Sequence, residues 1–298
     1  AADVAASFER TTGYLTEALR DTEHPDMLPN VISGLTQLCL HVRQLYPVNN
    51  KNYEVASISA FTKTLLPTLL THMESLDVSE NRFHAAVQCV AALASVSSSQ
   101  LVANVSKKLL QLLLVNSSQH NHSAAAGYMS ILLILIPYQP EQMINLIYRA
   151  VKPLLSASED VSMQKRAYNI LQCLLQSHIE TLHKTESRLE ILNIISNSLL
   201  ICHVGARHIR LRCVETLIGQ MTQEELNSAC NNVLGEVLIC LKDANKKCRD
   251  AAFNLLKVII HHIEPEILLP QIYSGIVAET PSMRSATITA LCVLIHEK

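Results

Sequence analysis

Histidine and cysteine are the side chains most often recruited for metal binding or covalent catalysis, and here they fall into a few short clusters. His120-Asn121-His122 sets two imidazoles two residues apart in a polar stretch, with no third or fourth ligand nearby to close a coordination sphere. A solvated loop accounts for it. Cys202-His203 followed by Cys213 has the residue types of a thiol nucleophile and its base. A catalytic thiol needs surroundings that stabilise the thiolate, and these cysteines stand at apolar helical positions, which favours core packing. His261-His262 closes a helical run, where imidazoles suit the free carbonyls of a helix end. Thr222-Gln223-Glu224-Glu225 has the spacing of a capping box, Thr222 leading and Glu225 three residues on, so its carboxylates need no acid/base role.

No phosphate loop, dinucleotide fingerprint, HExxH or GxSxG is present, and Gly205 and Gly275 stand alone. The pattern assigns no catalytic residue, metal ligand, cofactor or small-molecule substrate. What does stand out is positive charge. Lys165 and Arg166, then Arg207, Arg210 and Arg212, then Lys242, Lys246, Lys247 and Arg249, then Arg284 all fall near the starts of similar helices.

Those helices come from an apolar period of three and four, seen in Val31, Leu35, Leu38 and Val42 and in Ile170, Leu171, Leu174 and Leu175. Punctuation is supplied by Pro47, the segment Ser95 to Ser99, Pro137, Pro140, Ser156 to Asp160, Glu264-Pro265 and Thr280-Pro281. The spacing predicts about fourteen helices, most of about 14 to 20 residues, with short connections. A frame recurs in them: a small residue, a bulky one, two others, then Leu. It reads Ala167-Tyr168-Asn169-Ile170-Leu171, Cys213-Val214-Glu215-Thr216-Leu217, Ala252-Phe253-Asn254-Leu255-Leu256 and Thr287-Ile288-Thr289-Ala290-Leu291. The terminal leucines step by 46, 39 and 35 residues, and looser matches at Leu93 and Leu132 continue the series backwards.

A period near 40 with two helices per unit predicts an all-α, right-handed solenoid of HEAT or armadillo-like hairpins. One hairpin cannot bury both of its apolar faces, so neighbouring units must supply the cover. The expected organisation is a single continuous solenoid over 1–298, about seven helical pairs, forming an internal part of a larger protein.

Composition agrees. Of 298 residues 49% are hydrophobic, with no Trp and four Phe, so the core is aliphatic; seven Gly are too few for a turn-rich β fold. The most apolar run, Ile131 to Ile136, is far shorter than the roughly 20 residues that span a bilayer, so no membrane association is expected. Nine Cys without a CxxC read as reduced core thiols of an intracellular protein. The formal charge of −2 means that any affinity for nucleic acid must come from a local cluster.

Counting back seven from the marker leucines gives Arg210, Arg249 and Arg284 in consecutive repeats, so the basic residues form a ladder on one ridge or on the inner face. Such a row suits the phosphates of an RNA or an acidic protein segment, without base specificity. It equally suits hydrogen bonding to neighbouring repeats and helix ends, as basic residues commonly do in such repeats.

Three stretches resemble the ribosomal RNA-processing protein 12 family of HEAT-repeat ribosome biogenesis factors. Ile147-Tyr148-Arg149-Ala150-Val151-Lys152-Pro153-Leu154-Leu155 followed by Gln164-Lys165-Arg166-Ala167-Tyr168 is similar to the family's basic-Pro-Leu helix end and "QKKAY" helix. Glu236 to Leu256 resembles its unit in which Lys, a polar turn and Arg precede A-F-x-L-L. Gly275-Ile276-Val277-Ala278-Glu279-Thr280-Pro281-Ser282-Met283, with Ser285-Ala286 and Ala290-Leu291, resembles its "GLAGETPHMISA…AL" block, departing at Ile276, Val277, Ala278, Ser282 and Arg284. The resemblance runs from about Gly127 to the end of the chain.

It implies a non-catalytic scaffold of small ribosomal subunit biogenesis, in 90S and pre-40S assembly, pre-rRNA processing and export. Precursor ribosomal RNA and ribosome assembly factors would be its partners, and the nucleolus and nucleus its location, with shuttling to the cytoplasm. The alternatives from other classes are a karyopherin-like transport receptor, expected to carry acidic inner surfaces, and a phosphatase-type or other HEAT-repeat interaction scaffold.

Overall fold

A computed structural model describes residues 2–20, 27–45, 58–73, 81–118, 122–156, 161–184, 187–198 and 201–298. His120, Asn121, Pro47 and residues 157–160 lie outside them. The regular structure of the described residues is all helix, with no strand. The chain divides into two compact units, Ala1–Ala150 and Val151–Lys298.

In the first unit α1 (Ala2–Arg20) pairs with α2 (Met27–Leu45), α3 (Ser59–Met73) with α4 (Asn81–Ala94), and α5 (Ser99–Ser118) with α6 (His122–Leu135). The second members pack in series, α2 on α4 and α4 on α6, while α1 lies against α3. This is the hairpin stacking that the repeat period predicts. A 3-10 turn, Ile136–Tyr138, holds Pro137, and α7 (Glu141–Leu155) follows Pro140.

The second unit repeats the scheme. Helices α8 (Val161–Ser177), α11 (Val204–Ile218), α13 (Lys246–His262) and α15 (Pro281–Glu297) form one layer, each packed on the next. The other layer is built from α10 (Arg188–Asn197), α12 (Gln223–Cys240) and α14 (Pro265–Ser274), which pair with α11, α13 and α15. The short α9 (Ile179–His183) lies between the marker leucines 171 and 217, which explains why that step is the longest.

The local signals are satisfied where the sequence placed them. Thr222 and Glu225 close a capping box at α12, and Thr280 caps α15 directly before Pro281. A second capping box, Ser187 with Glu190, starts α10. At the end of α13 His262 Nδ1 lies 2.8 Å from the Val258 carbonyl, in keeping with a helix-end role. His203 is the N-cap of α11, its Nδ1 accepting from the Gly205 N–H at 3.2 Å.

The small residue of the frame is fully enclosed in all four repeats: Ala167, Cys213, Ala252 and Thr287. Its neighbour is not. Tyr168 and Val214 are buried, but Phe253 is 37% and Ile288 57% exposed. The cysteines split in the same way: Cys39, Cys89, Cys202, Cys213, Cys240 and Cys248 are buried, Cys173 is half-buried and Cys292 is exposed. Burial pushes the thiols of Cys39, Cys89, Cys173, Cys202 and Cys213 up, Cys89 to about 11, which makes them poor nucleophiles, whereas a hydrogen bond with Cys248 holds Cys240 below its usual value.

Gly275 opens a 3-10 turn, Gly275–Val277, packed against α15. A Cβ there would collide with Thr287 Oγ1, whose hydroxyl donates to the Met283 carbonyl at 2.9 Å. Gly275→Ala is therefore expected to destabilise by about 1–3 kcal/mol through overpacking. The urea midpoint reads this, and Thr287→Ala in the same chain should recover most of the loss.

Candidate nucleic-acid interface

The basic residues divide into a buried set and an exposed set. Arg210 is 0% exposed. Its Nε and Nη2 donate to the Ile195 carbonyl at 2.8 and 2.6 Å, Nη2 also reaches Ser196 O, and Nε reaches Ser198 Oγ at 3.1 Å. The remaining nitrogen pairs with the carboxylate of Glu236, itself 5% exposed, on α12. Arg210 thus closes the C-terminal end of α10 and has no surface to offer a phosphate.

Arg249 and Arg284 do the same job at the following turns. Arg249 Nη1 donates to Asp243 O at 2.8 Å and Ala244 O at 2.9 Å, and Arg284 Nη1 to Ala278 O at 2.8 Å and Glu279 O at 2.7 Å. The acceptors lie six and five residues upstream in both cases. The position seven before Leu171 is Gln164, also buried, which donates to Leu155 O at 3.1 Å and Ile201 O at 3.3 Å and accepts from His203 N at 2.8 Å. This rung of the frame therefore carries, in each of the four repeats, a polar side chain that satisfies carbonyls left over where the preceding helix stops. Sequence reasoning did not single out Gln164, because it sought cations and the rung needs only a donor.

Tyr168, in the same motif, is buried, its hydroxyl shared with Ser198 Oγ and reaching Leu155 O at 3.3 Å. Burial pushes its phenol up to about 12.

The other candidates lie at the surface or near it. Arg207 pairs with Asp243 and is half-buried, and that hydrogen bond helps hold the Asp243 carboxyl below its usual range against the opposing effect of burial. Arg166 donates to Ser162, one turn back on α8. Lys242 Nζ reaches Thr289 Oγ1 on α15 at 3.4 Å. Lys165, Arg212, Lys246 and Lys247 are exposed, and among the described residues none of their side chains makes a hydrogen bond or an ion pair. They project from α8, α11 and α13, the three helices that pack side by side, so the free positive charge of the second unit gathers on one layer.

The arrangement can attract polyanions by charge, and its donors are spaced along helices rather than converging on one reacting atom. Among the described residues no group of three or more His, Cys, Asp or Glu could hold a metal ion. No described helix is long and apolar enough to cross a membrane.

The two-layered stacking defines a class, the HEAT-repeat solenoid. Solved structures of the same kind include the karyopherin Kap121p bound to Nup53p, with a TM-score of 0.67 at 13% identity, covering 97% of this chain and 30% of that one. Kap95p with RanGDP gives a TM-score of 0.66 at 10% identity over 98% of this chain and 38% of that one. Identity this low speaks for the fold alone.

The sequence resemblance has firmer company. The chain is 26% identical over 99% of its length to the RRP12-like protein of Gallus gallus. It is 25% identical over 71% and 48% of its length to the putative ribosomal RNA-processing protein 12 of Schizosaccharomyces pombe and the ribosomal RNA-processing protein 12 of Saccharomyces cerevisiae. The resemblance read from the motifs is thus matched by homologues that carry the family's name. The chain spans 23%, 20% and 11% of these three relatives, respectively. No family model matches it.

Proposed function

We propose that the chain is a non-catalytic scaffold of small ribosomal subunit biogenesis, taking part in 90S and pre-40S assembly, pre-rRNA processing and export. The observation that carries this is the similarity over 99% of the chain to an RRP12-like protein, with two further homologues named for ribosomal RNA processing. Precursor ribosomal RNA is held through the exposed cations of α8, α11 and α13, and assembly factors occupy other faces of the solenoid. Nucleolus and nucleus are its location, with export carrying it to the cytoplasm. One continuous solenoid over residues 1–298 presents these faces.

The buried thiols and the carbonyl-bound arginines support a role without chemistry, because groups of these types are engaged in packing and helix-end hydrogen bonds. The likeness to karyopherins is one of fold and gives no weight to a transport receptor. Gradient sedimentation of the tagged protein from growing cells tests the proposal. Co-migration with small-subunit precursors is expected, and a profile confined to the free-protein fractions would overturn it.

A further inference from the structure

His208 stands on α11 one turn before Arg212, half-buried, between α8 and α13. Its Nδ1 is buried with no hydrogen-bond partner among the described residues. Buried polar atoms rarely remain unpaired, and those that do call for an explanation. Around this ring stand Arg212 from its own helix, Lys165 from α8 and Lys247 from α13, all close enough to act on it electrostatically. Lys247 also occupies in α13 the frame position that His208 occupies in α11, nine residues before the marker leucine.

We propose that Lys165, His208, Arg212 and Lys247 form a seat for a backbone phosphate of single-stranded RNA, and that His208 takes up a proton from solvent when the phosphate enters. This rests on the RNA-binding scaffold proposed above and names one place where the RNA is held. Three cations from three adjacent helices fix a point of high positive potential, which suits a phosphodiester better than a base edge. The imidazole is the one member of the seat that can adjust its charge near neutrality.

The direction of coupling follows from the surroundings. Burial lowers the His208 pKa most, and Arg212, Lys165 and Lys247 lower it further, so the ring is neutral in the free protein at neutral pH. The other charged groups packed near α11 are paired with neighbours or exposed. On α10, Arg188 lies 3.9 Å from Glu225 and Glu190 is engaged with Ser187. On α11, Glu215 interacts with Arg212, one turn beyond it. On α13, Lys246 is exposed, and on α11 Arg207 is held by Asp243. A phosphate cancels the repulsion from the three cations and raises the pKa in the complex. RNA affinity then climbs as pH falls through the raised pKa and levels off below the lowered pKa of the free protein, by about tenfold for each unit separating the two.

The test uses fluorescence anisotropy of the whole chain with a labelled single-stranded RNA of about 20 nucleotides at fixed salt, between pH 8 and pH 5.5, with an acidic peptide of equal length as comparison. In the wild-type protein RNA affinity should rise about tenfold over this range. His208→Gln should remove most of that rise and leave affinity at pH 8 within about twofold. Lys165→Gln, Arg212→Gln and Lys247→Gln should each weaken binding at pH 8 and flatten the salt dependence by about 0.7 in log–log slope. Salt-dependent RNA binding that all four substitutions leave unchanged would overturn the seat while sparing the scaffold proposal. Binding to the acidic peptide but not to RNA would overturn both the seat and the RNA-holding role.

Discussion

Arg210→Met should cost the second unit about 3–5 kcal/mol of unfolding free energy, the largest single-residue loss the account predicts. The reason is desolvation: Glu236, 5% exposed, would keep its charge with no cation beside it, and the carbonyls of Ile195 and Ser196 would lose their donor. The double substitution Arg210→Met with Glu236→Leu removes both charges and should recover most of the loss, since well-packed apolar pairs often replace buried ion pairs without penalty. Arg249→Met, whose carbonyl partners lie nearer the surface, should cost only about 1–2 kcal/mol. Urea denaturation followed by circular dichroism gives the ranking. An Arg210→Met midpoint equal to that of Arg249→Met would show that the Arg210–Glu236 pair is not the anchor described.

The second large effect concerns binding. Reversing Lys165, Lys246 and Lys247 to Glu together should lower affinity for single-stranded RNA by about 100-fold at 0.1 M salt and reduce the log–log salt slope by about 2. All three side chains are exposed and make no ion pair, so stability should stay within about 0.5 kcal/mol. Reversing Lys63 and Lys107, also exposed but in the first unit, serves as the comparison and should change affinity by no more than about threefold. Equal losses in the two variants would mean that net charge, rather than the α8–α11–α13 layer, governs binding.

The contrast between Arg210 and its neighbours shows where sequence reading stops. The ladder at seven before each marker leucine was visible as spacing, and so were the cap at Thr280 and the box at Thr222, because those are local interactions within a few residues. The acceptors of Arg249 and Arg284 are also local, five and six residues upstream. Those of Arg210 lie 14 and 15 residues away at the end of α10, and its carboxylate partner is 26 residues downstream, so its burial is a tertiary fact. The exposure of Phe253 and Ile288 has the same origin. The second position of the frame lies at the margin of the apolar face, and the neighbouring helix decides whether it is covered.

His208 was missed for a related reason. A lone histidine at a half-buried helical position reads as packing, and Lys165 stands 43 residues away in sequence. One signal was available: His208 and Lys247 share a frame position, so a titratable group stands in line with a fixed cation one repeat on. Folding the chain into a two-layer stack turns that sequence register into spatial proximity.

Ultraviolet crosslinking of the tagged protein to RNA in growing cells, read from both the crosslinked peptide and the recovered RNA, tests the central claim most directly. Crosslinked peptides should fall within α8, α11 and α13, and the recovered RNA should be small-subunit precursor. The triple reversal should lose those crosslinks while the protein remains folded. Crosslinks confined to the first unit, or RNA with no enrichment of small-subunit precursor, would contradict it.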